Sequence, residues 1–178
     1  MAPLNIFFRC ALAVAGALIL PQPVAAQPTD TSVKAAFLPR FARYVTWPPA
    51  AMPKGSDPFV LCVLGSDPFG SMLDDAARSQ IVDGRRITVR RLDSAAGAGG
   101  CQIAFVEGSD VHPASQMLDA LRAMPILTVT DDPGARRGII QFTLVDGHVR
   151  FFIDLASATK RGIQISSRLL ALAVGVRQ

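Results

Sequence analysis

Between Ser32 and Val45, apolar side chains recur at Val33, Ala36, Phe37, Phe41, Tyr44 and Val45, the spacing of a single stripe along a helix. Ser32 offers an N-cap and Trp47-Pro48-Pro49 stops the segment. Pro39 complicates it, because a ring without an N–H that crowds the carbonyl of Ala35 demands either a kinked helix or one that begins near Leu38. After the loop 53–58 the pattern alternates. It predicts a strand over 59–64, a turn at 65–68, a helix over 68–78, a strand over 86–92 and a glycine-rich loop at 97–100. A strand over 102–106, a helix from Pro113 to Ala123 and a strand over 126–130 follow. Short buried strands alternating with helices point to an α/β sheet with helices packed on it.

Past the turn Asp131-Asp132-Pro133-Gly134 the style changes to a hairpin, with strands 139–145 and 148–153 joined by Asp146-Gly147, a type I′ signal. A two-residue turn fixes the register. Leu144 then faces Val149, Phe142 faces Phe151 and Ile140 faces Ile153 on a core side. Val145 with His148, Thr143 with Arg150, and Gln141 with Phe152 form a mixed surface on the other. That second face reads either as solvated or helix-covered sheet, or as part of a ligand or partner surface. Asp154 caps a helix over 155–161, Gly162 ends it, and Ser166 or Ser167 caps a last helix over 167–175. The expected fold is α/β, a single domain with a mixed sheet of about six strands flanked by helices and a C-terminal β-hairpin.

Half of the residues are apolar and 18% are charged, which excludes disorder, collagen and coiled coil. Residues 1–26 read as an export signal: Arg9, an apolar run from Cys10 to Leu20, then a breaker-rich tail with cleavage after Ala26. That run is too short to span a bilayer, which needs about 20 residues. The mature domain, residues 27–178, keeps about 150 residues, enough for one core. Net charge is +4, and no run of Lys and Arg interleaved with aromatics suggests nucleic acid.

Export changes how the cysteines are read. In an oxidising compartment Cys62 and Cys101, each at a predicted strand, are candidates for a cross-link, with two separately buried thiols as the alternative. Closing a loop of about 40 residues is worth roughly 4 kcal/mol in the chain-entropy model. Catalytic constellations are weak throughout. There is no G-x-S-x-G elbow, and Ser109, Asp110 and His112 lie too close in one loop to align as a triad. Gly97-Ala98-Gly99-Gly100 precedes a strand, unlike a phosphate loop. Asp74-Asp75 and Asp131-Asp132 read as caps or solvated charge, and two histidines without a spare thiolate make a poor metal site. No catalytic residue, metal or cofactor is assigned.

Several stretches together resemble the YfiR family of exported proteins: Val33-Lys34-Ala35-Ala36-Phe37-Leu38 through Trp47-Pro48; Val63-Leu64-Gly65-Ser66-Asp67-Pro68-Phe69-Gly70; Ile126-Leu127-Thr128-Val129-Thr130-Asp131; and Val149-Arg150-Phe151 onward through Gly162-Ile163-Gln164-Ile165-Ser166-Ser167-Arg168-Leu169-Leu170. The likeness spans about 32–174. Pro39, Gln141 (in a stretch that in the family reads Gly-Gly-x-x-Asn-Phe) and Asp154 (for Asn) depart from the pattern. The resemblance implies a periplasmic, non-catalytic regulator that lowers cyclic di-GMP by contacting the periplasmic part of an inner-membrane diguanylate cyclase. Disulfide redox state or a small effector would release it. A ligand-binding accessory subunit of a transporter or sensor kinase is the alternative, and a homodimer is left open. The region where the hairpin exit meets the last helix, Arg150, Gln164, Ser166 and Arg168, is the candidate effector site. Ordinary capping and surface charge is the competing explanation for those four.

Overall fold

The computed structural model describes residues 29–131 and 138–178. The proposed signal 1–26 with Cys10, and the turn residues Asp132, Pro133 and Gly134, lie outside them. In chain order the elements are α1 (Asp30–Phe41), β1 (Val45–Thr46), β2 (Phe59–Leu64), α2 (Ser71–Arg78), β3 (Ile81–Val82), β4 (Arg85–Leu92), β5 (Ile103–Val106) and α3 (Ala114–Ala120). There follow β6 (Leu127–Thr130), β7 (Ile140–Val145), β8 (His148–Asp154), α4 (Leu155–Lys160), β9 (Gln164–Ile165), α5 (Ser167–Leu170) and β10 (Gly175–Arg177).

Eight strands form one sheet in the order β10-β8-β7-β6-β5-β2-β4-β3, and β1 pairs with β9 in a separate ribbon. Strands β7, β6, β5, β2 and β4 run parallel, as buried runs such as Phe-Val-Leu-Cys-Val-Leu in β2 require, while β8 and β3 turn back antiparallel. The mixed α/β class is as expected, with more strands than the six expected from the sequence.

Two cores lie on opposite faces of the sheet. On one, α1 and α2 cover Leu61, Val63, Ile103, Phe105, Leu127, Val129 and the hairpin, and Phe41 packs edge-on against Phe151 at 5.4 Å between ring centres. On the other, α3 covers Cys62, Leu64, Ala104 and Val106. Alternation along β2 and β5 sends successive side chains to the two cores.

The first helix starts earlier than expected. Thr29, not Ser32, is the cap: its hydroxyl accepts from the Ser32 N–H at 3.2 Å, and the Ser32 hydroxyl donates back to the Thr29 carbonyl. Pro39 sits buried inside the helix, which tightens into a 3₁₀ turn at 42–44 just beyond it. Helix formation therefore survives the proline, its lost hydrogen bond falling in the last turn before the chain leaves the helix.

The hairpin register is the one read from its turn, and Asp146 and Gly147 both take positive φ. Leu144 departs from its expected core position: beside the hairpin turn and outside the buried cluster, it is 52% exposed, although its partner Val149 stays buried. The helix expected over 167–175 stops at Leu170. The Val174 N–H donates to the Phe151 carbonyl, and the chain continues as β10, parallel to β8.

The turn after β2 depends on a close approach. Gly65 has φ +83, and a methyl group there would collide with the backbone carbonyl of Glu107. In such open sheets the point where strand order switches sides lies between β2 and β5, and there the Gly65 backbone packs directly on that of Glu107. Arg91 secures the same turn, bonding Asp67 at 2.6 Å, Asp74 at 2.7 Å and the Gly70 carbonyl at 2.8 Å. Gly65→Ala is expected to cost about 2–4 kcal/mol, from strained φ plus overlap. Urea unfolding followed by circular dichroism measures it, and a loss below about 0.5 kcal/mol would mean that the turn is not tight.

Candidate functional site

Cys62 in β2 and Cys101, just ahead of β5, form a disulfide with Cα atoms 5.9 Å apart, bridging neighbouring parallel strands. Both are buried, under Ala98, Leu121 and Ile126. Gln102, next in the chain, continues the fastening. Its Oε1 accepts from the Val60 N–H at 2.8 Å, its Nε2 donates to the Ala51 carbonyl at 2.9 Å, and its own carbonyl accepts from Trp47 Nε1–H at 3.0 Å. One buried residue thus ties the start of β2, the 49–51 turn and the indole together, the first two through its side-chain amide and the third through its backbone carbonyl.

The hairpin presents the second face anticipated from the sequence. Thr143, Val145, Arg150 and Phe152 point away from the α1 side, and α3 packs farther along the sheet over β2, β5 and β6. Phe152 lies across Gly175 of β10 yet remains 38% exposed, and Val145 is 39% exposed. An aromatic ring, a valine and a guanidinium, each partly exposed, therefore share one face of paired strands. Aromatic rings and arginines are enriched where proteins meet.

The four residues expected to form an effector site are not gathered in one place. Arg150 stands on this open face, whereas Gln164 lies in the β1–β9 ribbon opposite Thr46. Ser166 caps α5 by accepting from the Leu169 N–H, and Arg168 is exposed on that helix. Leu169 and Ile165 belong to the α1-side core, so this group approaches from the face opposite to Arg150. Among the described residues no hydrogen bond or ion pair joins Arg150 to the other three.

Of the acid–base groups weighed in the sequence, Ser109 accepts from the His112 backbone N–H at 3.0 Å and so closes a loop. Asp75 pairs with Arg78, Asp74 with Arg91, and Asp131 with Lys34 of α1 at 2.6 Å. A feature the sequence did not reveal stands at the exit of β8. Asp154 caps α4, accepting from the Ser157 N–H at 3.0 Å and its hydroxyl at 2.6 Å, and also binds Arg177 of β10. Burial opposes the Asp154 charge, but hydrogen bonds from Arg177 and Ser157 outweigh it and hold the carboxyl below its ordinary value. The cap was legible in the sequence, and the Arg177 partnership was not, since it exists only because β10 lies against β8.

A carboxyl with a depressed folded-state pKa contributes stability in full above its unfolded value and loses it as pH falls through the folded one. Asp154→Ala is therefore expected to destabilise the domain by about 1–2 kcal/mol at pH 7, as loss of a cap with a further ionic partner does. The gap to the wild type should close below about pH 4. Thermal unfolding at a series of pH values reads this, and a gap independent of pH would remove the ionic role.

Compared with known proteins, the chain matches the profile of the family described as YfiR/HmsC-like over residues 31–174. No curated protein matches it. The matched segment runs from the first turn of α1 to the residue before β10 and so includes both cores, the disulfide and the hairpin face. The chain belongs to the YfiR/HmsC-like family.

Proposed function

We propose that this protein is a non-catalytic periplasmic regulator that binds the periplasmic part of an inner-membrane diguanylate cyclase and lowers cyclic di-GMP output. The family match over nearly the whole folded domain carries this reading. A leader removed after Ala26 would deliver it, and no helix among the described residues is long and apolar enough to cross a membrane.

The hairpin face is the proposed docking surface, with Phe152 as anchor and Arg150 and Val145 beside it. A regulator lowers activity only if it prefers the inactive conformation of its target. A surface set on paired strands suits that discrimination because it does not remodel itself to fit both states. Gln164, with Ser166 and Arg168 next to it, is the proposed effector contact. It lines a cleft of about 300 Å³ with Thr159 and Gly162, apart from the docking face. Redox release would act through stability: with Cys62 and Cys101 covered, a reductant reaches the bridge only after local opening, and the reduced domain holds its shape less firmly.

Deleting the gene is expected to raise cellular cyclic di-GMP, and unchanged nucleotide in a strain that expresses the protein would refute the reading. At the surface itself, Phe152→Glu with Arg150→Glu should weaken binding to the purified periplasmic segment of the cyclase by at least about 100-fold, roughly 2.7 kcal/mol. Arg86→Glu, exposed on β4, should leave it unchanged. Equal affinity of the double variant and the wild type in calorimetry would clear the hairpin face of this role. Opening the disulfide, whose ends are 39 residues apart, should lower unfolding free energy by about 4 kcal/mol in urea titrations with and without reductant.

A further inference from the structure

At the opposite end of the hairpin from its tip, a cleft of about 300 Å³ opens between α3, α4 and β10. Among the described residues four cations line it, Arg122, Lys160, Arg161 and Arg177, against two carboxylates, Asp119 and Asp154. Both carboxylates are already engaged, Asp119 by Arg122 at 2.7 Å and Asp154 by Arg177 and Ser157. Lys160 has no ion pair among the described residues, and Arg161, half-buried, spends one donor on the neutral Ile126 carbonyl at 3.2 Å.

Two positive charges that form no ion pair among the described residues therefore face one cavity, and one of them has given up part of its hydration. Burial pushes the Arg161 guanidinium below its ordinary value; Asp154 counters that and Arg122 adds to it. A single capping role for Arg161 toward β6 would use one of its five N–H donors and would not call for Lys160 beside it.

We propose that this cleft is a binding site for a phosphate-bearing anion, with Arg161 as its planar two-donor contact and Lys160 as its point charge. The charge count selects the class: a phosphate near neutral pH carries about −1.5 to −2 and matches two unpaired cations, which a single carboxylate does not. Two sources share this chemistry, a free phosphate compound and a lipid headgroup. A bound anion would also link α4 to α3. The proposal does not depend on the docking surface or on the cyclase.

The test is a titration of isotope-labelled mature protein with inorganic phosphate at constant ionic strength, following backbone amides by NMR. Saturable shifts are expected at Ser157 to Arg161 and near Arg122, weakened about tenfold or more in both Lys160→Gln and Arg161→Gln and unchanged in Arg86→Gln. Lys160 is exposed, so its variant keeps the test valid should Arg161→Gln misfold. Co-sedimentation with phosphatidylglycerol vesicles, lost in Lys160→Gln, would assign the headgroup as source. Phosphate binding without sedimentation would assign a soluble ligand. Shifts that do not saturate, or wild-type affinity in Lys160→Gln, would overturn the site.

Discussion

The adjacency of β2 and β5 is the constraint on which the rest of the molecule rests. They are neighbours in space but separated in sequence by a helix and two strands, so their parallel pairing closes a long loop before any reward from packing arrives. The Cys62–Cys101 bridge and the Gln102 amide both act at that junction. One limits how far the unfolded chain can stray, and the other satisfies buried backbone groups at the start of β2. Side chains alternating along these strands then set both cores at once, so an error of one residue in their register would send each side chain to the wrong core.

How far the sequence specified the molecule depends on where its local signals were strong. The hairpin was legible down to individual pairs because Asp146-Gly147 admits one turn geometry and a two-residue turn leaves the strands no freedom to slip. Asp83-Gly84 carries the same signal, and both residues take positive φ. The strand it reverses, β3, is two residues long, too short for alternation to mark a hairpin. At α1, Thr29 and Ser32 are chemically equivalent as caps, and pattern could not choose between them. The helix expected over 167–175 includes the good helix formers Ala171, Leu172 and Ala173, yet the free edge of β8 captures the chain through the Val174 N–H, a tertiary effect no local pattern reports.

The same reasoning separates the legible from the hidden parts of the functional surface. Arg150 beside Phe152 followed from register, since residues two apart in a strand share a face. The grouping of Arg122, Lys160, Arg161 and Arg177 did not, because α3, α4 and β10 bring together side chains spread over 55 positions. Gln164, Ser166 and Arg168 are near one another through chain continuity alone. Arg150 does not join them, because the sheet stands between its face of the hairpin and the last helix.

Both margins of the large sheet end in very short strands, β3 with two residues and β10 with three; β10 carries Arg177, and β4, which runs on past β3, carries Arg85, Arg86, Arg90 and Arg91. A sheet whose middle is a stack of almost wholly apolar strands would otherwise offer long unpaired borders on which other chains could grow. Stunted, positively charged borders deny that template. Colloidal stability at high local concentration is thus written into the two ends of the sheet and not into its centre.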